Sequence, residues 1–255
     1  MDDKEVNNED TIILTIGRMN PPTTGHLLLI KDMINKAVEE NLSQINIILS
    51  HSKDKKKNPF KCDDKRFFLT NDIIHPSMTT LLKKQMMEAD PANANKIKRV
   101  RIKIICMDDY VNPEYGKHPI MKSIGHILGE LYAYPREGLK IKLIVGQDRM
   151  HDYDWIKTFL ENQRDLYPVN VEIIGLPRPE GAMSATEMRN YALNNDWETF
   201  KSKLESTGLD ESVIKSIFDG IIINMTSQEN ENEPKKKKTR RGGRRKRKTR
   251  RKIKK

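Results

Sequence analysis

Cysteine is nearly absent from this chain. Of 255 residues only Cys62 and Cys106 are cysteines. They sit in unrelated contexts, and no Cys/His cluster has the spacing of a zinc site, which argues against a structural metal. Two isolated thiols suit an intracellular, reducing compartment, and both read as inert. No apolar run approaches the roughly 18 residues that a membrane-spanning helix needs. Met1 to Glu5 are polar and acidic, so the start does not read as a secretory leader. Several signatures are missing too. Without G-x-x-x-x-G-K-[ST] the chain is not a P-loop NTPase by motif, and without G-x-G-x-x-G nothing points to a dinucleotide cofactor. Without G-x-S-x-G there is no support for an esterase.

Charge, by contrast, is abundant and uneven. The net charge is +11, from 47 Lys and Arg against 36 Asp and Glu. Between Lys235 and Lys255 there are 16 cations and no acid, so the remainder holds 31 cations against 36 acids, a net −5. A mildly acidic body carries a strongly basic tail. The tail is too polar to form a packed core and reads as disordered. As an exposed polycation it is expected to bind nucleic acid non-specifically and in a salt-dependent way. It lacks the interleaved aromatics that would favour sequence-specific binding. A nuclear-localisation signal and a solubilising appendage are the alternatives.

Residues 1–10 read as a disordered lead. Residues 12–16 form a continuous apolar run, the pattern of a strand buried on both faces. Leu27, Ile30, Met33, Ile34, Ala37 and Val38 then give helical periodicity over about 26–40. Further buried strands are expected at 45–49, 100–107, 141–145 and 169–174. Asp63 and Asp64 start a helix over Phe67, Phe68, Ile73 and Ile74 that Pro76 stops. Helices are also expected at 79–89, at 119–133, through Trp155, Ile156 and Phe159, and at 184–193. Residues 91–95 and 108–118 read as loops. Strands alternating with helices imply right-handed crossovers and a parallel sheet covered on both faces. The expected fold is α/β: a Rossmann-like five-stranded parallel sheet over 11–195. Two short helices, at 196–204 and 210–223, make a small helical extension over 196–225. A linker and the polybasic tail occupy 226–255.

In such sheets a ligand lies at the carboxyl ends of the strands, near the switch in strand order. Every notable polar cluster falls just after a strand: 17–26, 50–61, 108–118, 146–155 and 175–189. The first is Gly17-Arg18-Met19-Asn20-Pro21-Pro22-Thr23-Thr24-Gly25-His26. It is a strand, a turn with glycine at the strand end to allow close backbone approach, and a helix start. The unpaired N–H groups and dipole of such a helix start attract an anion. The last is Met183-Ser184-Ala185-Thr186-Glu187-Met188-Arg189, a second helix start. Together the two are expected to hold one nucleoside triphosphate between them. Cationic and hydrogen-bonding side chains follow the strands (His26, Lys57, Ser184, Thr186, Arg189). They favour stabilising charge on phosphorus over covalent nucleophilic work.

Thr23-Thr24-Gly25-His26 resembles the (His/Thr)-x-Gly-His signature of the nucleotidyltransferase superfamily, which includes cytidylyltransferases and nicotinamide-mononucleotide adenylyltransferases. Residues 183–189 resemble its second signature, Ile-Ser-Ser/Ala-Thr-x-x-Arg, with Met183 in place of isoleucine. Gly146-Gln147-Asp148 followed by Trp155 is similar to a substrate-binding region of the adenylyltransferases. Lys57-Asn58-Pro59-Phe60 and 196–201 look most like uncharacterised members from large phages and giant viruses, whose proteins commonly carry similar basic tails. The resemblance implies transfer of a nucleotidyl group from an NTP, ATP first, to a phosphate-bearing acceptor such as nicotinamide mononucleotide, releasing pyrophosphate. Cytidylyl transfer to a phosphorylated alcohol, and a non-enzymatic nucleic-acid-binding protein using the tail, are the alternatives. His26 would donate to the α- or β-phosphate and stabilise the transition state, Thr23 would help hold the same phosphates, and Arg189 would neutralise them. Gly17, Arg18, Asn20, Gly25, Lys57, Ser184 and Thr186 would bind the nucleotide, and Asp148 and Trp155 the acceptor. Mg²⁺ would be held through the phosphates, with no protein metal site. Relatives in the family are often oligomers.

Several of these residues have a plainer reading. Ser184 and Glu187 are also a capping box, serine at the cap and glutamate three residues on. That does not explain Thr186 and Arg189, which share a helix face. Lys57 and His51 lie in a polar loop that needs no ligand. Asp148 can simply cap a helix. Trp155 either stacks on a base or packs in the core, and Trp197 reads as packing between the terminal helices.

Overall fold

The computed structural model describes residues 11–49, 57–107, 139–162, 164–165, 168–177 and 182–226. The lead at 1–10, His51, the expected loop at 108–118, the expected helix at 119–133 and the tail lie outside the described residues.

Five strands form one parallel sheet: β1 (Thr11–Gly17), β2 (Gln44–Leu49), β3 (Arg101–Cys106), β4 (Leu139–Gly146) and β5 (Val169–Leu176). Their order is β3-β2-β1-β4-β5. Ile13 lies beside Ile45 of β2 and Lys142 of β4, so β1 is central. Its aliphatic run serves two cores, because successive side chains of a strand point to opposite faces. Ile13 joins the cluster containing Ile30, Met33 and Ile34 of helix α1 (Thr24–Glu39). Ile12, Leu14 and Ile16 join a second cluster with Ile156 and Leu160 of α5 (Asp154–Asn162). The α/β, Rossmann-like expectation therefore describes the fold, with helices flanking both faces of the sheet.

The first face also holds α2 (Cys62–Thr70), α3 (Met78–Ala89), α4 (Ala94–Arg99) and α6 (Ala185–Leu193). The terminal helices α7 (Trp197–Glu205) and α8 (Glu211–Thr226) pack into the same core through Phe200, Ile214, Ile217 and Phe218. Trp197 sits between them edge-on to Phe218, ring centroids 5.3 Å apart, so it packs where the sequence suggested. No helix among the described residues is long and apolar enough to cross a membrane.

Three expectations are corrected. Residues 91–95 are not a plain loop: a short 3₁₀ turn (Pro91–Asn93) leads directly into α4. Proline fits there because the first helical positions need no N–H bond. Helix α2 ends at Thr70, before Ile73 and Ile74, which are 85% and 73% exposed rather than packed beneath it. Side-chain acceptors turn the chain first: Asn71 Oδ1 takes the Ile73 N–H at 2.9 Å, and Asp72 Oδ1 the Ser77 N–H at 2.7 Å. Lastly, Cys62 and Cys106 are not in unrelated contexts. They are bonded to each other, joining the start of α2 to the end of β3.

Candidate active site

A cleft of about 320 Å³ opens at the carboxyl ends of the strands. It lies between the starts of α1 and α6 and the 3₁₀ segment (Gln147–Tyr153) that follows β4. The strand order reverses between β1 and β4, the place where open parallel sheets hold their ligands. Of the expected site residues, Arg18, Asn20, Thr23, Gly25, His26, Lys57, Asp148, Ser184, Thr186 and Arg189 all line it.

The loop from Arg18 to Thr23 is built by bonds from three other elements. Asn20 is buried and pairs with the backbone of Phe60 in both directions. Its Nδ2 donates to the Phe60 carbonyl at 2.8 Å, and its Oδ1 accepts the Phe60 N–H at 3.1 Å. Lys65 of α2, itself buried, donates to the Arg18 carbonyl at 3.1 Å. Arg189 of α6 donates through Nη1 to the Asn20 carbonyl at 2.6 Å. Inside these anchors Met19 takes a left-handed φ of 44°, a conformation a bulky residue keeps only when its surroundings over-determine it.

Thr23 caps α1 and is fully buried. Its N–H donates to His26 Nδ1 at 3.1 Å, and its hydroxyl lies 2.9 Å from the same nitrogen. A ring whose Nδ1 accepts from a backbone N–H carries its proton on Nε2 when neutral. Thr23 thus orients His26 while itself bordering the cleft. Gly25 has a specific reason to be glycine: a Cβ there would lie 3.0 Å from the Met183 carbonyl. The start of α1 and the loop before α6 touch at this point, so the two sequence motifs meet as backbones. Gly17 has no such reason. A Cβ would meet only the Met19 side chain, no nearer than 3.7 Å, so the close approach expected there occurs at Gly25 instead.

The second motif forms the capping box read from its spacing. Glu187 N–H donates to Ser184 Oγ at 3.1 Å, while Ser184 N–H and O–H donate to Glu187 Oε2 at 2.8 and 2.6 Å. Arg189 is only 7% exposed and its Nη2 donates to Thr186 Oγ1 at 3.1 Å. The guanidinium therefore bridges the two motifs while bordering the cleft.

Trp155 is not brought into the cleft. It is half-buried and packs against the second core cluster, as the plainer reading of it allowed. Three residues that sequence reading passed over line the cleft instead: Asp32, Arg149 and Tyr153. Tyr153 donates to the Ile16 carbonyl at 2.6 Å and ties the 3₁₀ segment to the end of β1. Burial pushes its phenol up. Burial works against the Arg149 charge, but a 3.0 Å hydrogen bond to Asp152 and the neighbouring Tyr153, Asp152 and Asp148 outweigh it and hold the guanidinium above its ordinary value. Asp32 was legible: steps of three from His26 through Leu29 reach it on one face of α1. Burial raises its carboxyl, against the opposing pull of Lys31 and Lys36. Arg149 and Tyr153 carried no such signal, because they lie on a 3₁₀ segment that comes before the expected helix through Trp155, Ile156 and Phe159.

Four cationic side chains (Arg18, Lys57, Arg149, Arg189) line the cleft beside His26, against the two carboxylates Asp32 and Asp148. Among the described residues no group of three or more His, Cys, Asp or Glu side chains is placed to hold a metal ion. Compared with known proteins, the chain matches no family model and no curated protein.

Proposed function

We propose that the chain is a nucleotidyltransferase that joins an NTP to a small phosphate-bearing acceptor. One observation carries the reading. Two helix starts meet at one cationic cleft, and the histidine of the first has its ring locked with Nε2 as donor. An oxygen of the acceptor phosphate would attack the α-phosphorus in line. The bond from that phosphorus to the bridging oxygen of the β-phosphate breaks, and pyrophosphate leaves with its electron pair. Catalysis here means placing donors where charge grows, since no nucleophile is needed from the protein.

His26 would donate to the α- or β-phosphate. The N–H groups of Thr24 and Gly25 have no acceptor within the helix and would add to it. Lys57, Arg18 and Arg149 supply the remaining positive charge. A magnesium ion would come in on the triphosphate, keeping most of its waters. Bound that way, the ion would neutralise charge on the leaving pyrophosphate. ATP with nicotinamide mononucleotide is the first pair to try, since Asp148 borders the cleft. Trp155 lends that acceptor no support.

The test is pyrophosphate release from each of the four NTPs with a panel of phosphorylated acceptors, nicotinamide mononucleotide and phosphorylated alcohols included. One pair is expected to turn over well above the rest. Absence of pyrophosphate from every pair would remove the enzymatic reading.

A further inference from the structure

We propose that Cys62 and Cys106 form a redox-active pair that fixes or releases the loop carrying Asn20, and with it the mouth of the cleft. The proposal does not depend on the reaction above. The bond joins residues 44 positions apart, the first of α2 and the last of β3. Cys62 stands among the anchors of that loop. Two residues before it, Phe60 exchanges both backbone bonds with the Asn20 side chain. Three residues after it, Lys65 holds the Arg18 carbonyl. One turn on, Arg66 places Nη2 2.9 Å from Cys106 Sγ and Nη1 3.3 Å from Asp63 Oδ1. Cys62 is 7% exposed and Cys106 1%.

This asymmetry gives the exchange a direction. A thiolate of an external dithiol attacks the sulfur of the more exposed residue, Cys62. The S–S bond breaks and Cys106 leaves as a thiolate beside the Arg66 guanidinium, which stabilises it and speeds its departure. The second thiolate of the dithiol then attacks the mixed disulfide, and Cys62 leaves. The dithiol becomes a disulfide, two electrons pass to the protein, and its two thiol protons end on the cysteines. With the bond open, the start of α2 loses its covalent tie to the sheet, and Phe60 and Lys65 hold the loop from a looser base. Disulfides inside reducing compartments are commonly transient and regulatory, and persistent ones belong to oxidising compartments. The pair reports which of the two surrounds the protein.

The test uses the full chain. After alkylation of free thiols and digestion without reductant, protein treated with glutathione disulfide is expected to yield Cys62 and Cys106 in one linked peptide pair. Recovery of both as alkylated thiols overturns the proposal. Hydrogen exchange then compares that oxidised protein with protein reduced by dithiothreitol. Amides of residues 18–23 and 57–66 are expected to exchange about tenfold faster when reduced, and to recover on reoxidation, while those of α5 stay unchanged. Equal exchange at 18–23 in the two states overturns the coupling. This comparison needs no variant, so poor folding of the Cys62→Ser, Cys106→Ser double variant does not decide it. Arg66→Gln should slow reduction by dithiothreitol by about tenfold, with Arg66→Lys restoring most of the rate. An unchanged rate in Arg66→Gln removes the guanidinium from the exchange.

Discussion

The starts of α1 and α6 are the same device used in two ways. Each is a capping box: Thr23 with His26, and Ser184 with Glu187. At α1 the third helical residue is an imidazole that accepts the cap's N–H and keeps a donor nitrogen. At α6 it is a carboxylate that accepts both the N–H and the hydroxyl of Ser184. A carboxylate at a helix N-terminus takes the place an incoming anion would take and neutralises the dipole there. The two helix starts are therefore unequal. The α1 start offers donors to the cleft. The α6 start is largely satisfied within itself, and its contribution passes through Thr186 and Arg189, which grips the other motif at Asn20.

The largest effect that would break this comparison is on α1. His26→Ala is expected to lower turnover by about 10²- to 10³-fold, the usual loss when one preorganised donor is removed. Circular dichroism and thermal melting should show the fold intact. Retained turnover would mean that the two helix starts do not differ in the way argued. Next comes Arg189→Gln. Truncating a buried charged donor that serves the Asn20 carbonyl and the Thr186 hydroxyl is expected to destabilise the protein by about 1–3 kcal/mol. Urea unfolding measures that loss, and it should come with weaker NTP binding because both motifs shift. If binding weakens with no loss of stability, Arg189 is a phosphate ligand and not a bridge.

Much of this is legible in the sequence. The apolar runs at 12–16 and 45–49 have one reading in an alternating chain, and the parallel sheet followed. Both motifs sit where the strand-then-helix pattern put them, and the spacing Ser184 to Glu187 identified its own box. What stayed hidden depends on distance in sequence or on the absence of a period. Nothing in the sequence places Cys62 beside Cys106, because the contact is made by the β2–β3 pairing and the packing of α2 on β3. Nothing separates Gly17 from Gly25 as the tight glycine until Met183 arrives from elsewhere in the chain. Arg149 and Tyr153 lie on a 3₁₀ segment, where helical spacing misassigns faces, and Trp155 was singled out by the resemblance alone.

A smaller effect sharpens the comparison at the caps themselves. Ser184→Ala and Thr23→Ala should each cost about 0.5–2 kcal/mol in stability, the ordinary loss of a helix cap. Only Thr23→Ala should also lower kcat, through a His26 ring that is less firmly oriented. Equal kinetic losses in the two variants would restore the symmetric clamp.

The smallest effect tests the polarity of the cleft from the acidic side. Asp32 faces the same cavity as His26, and burial raises its carboxyl above the ordinary 3.8. A carboxyl raised in the folded state is harder to ionise there than in the unfolded chain. The penalty is therefore fully present above the folded value, and it disappears as pH falls through that value toward the unfolded one. Asp32→Asn should raise Tm slightly at pH 7, by the equivalent of no more than about 0.5 kcal/mol for a half-buried group. The gain should vanish as pH falls through the raised folded value toward the ordinary 3.8, where the wild-type carboxyl takes up its proton. A lower Tm at pH 7 would show that Lys31 and Lys36 outweigh burial and hold Asp32 as a stabilised anion. In that case a fixed negative charge would stand along α1 from the start that is argued to receive the triphosphate. The Asp32→Asn variant should then also bind NTP more tightly, and more so at low salt, where charges across the cleft are least screened.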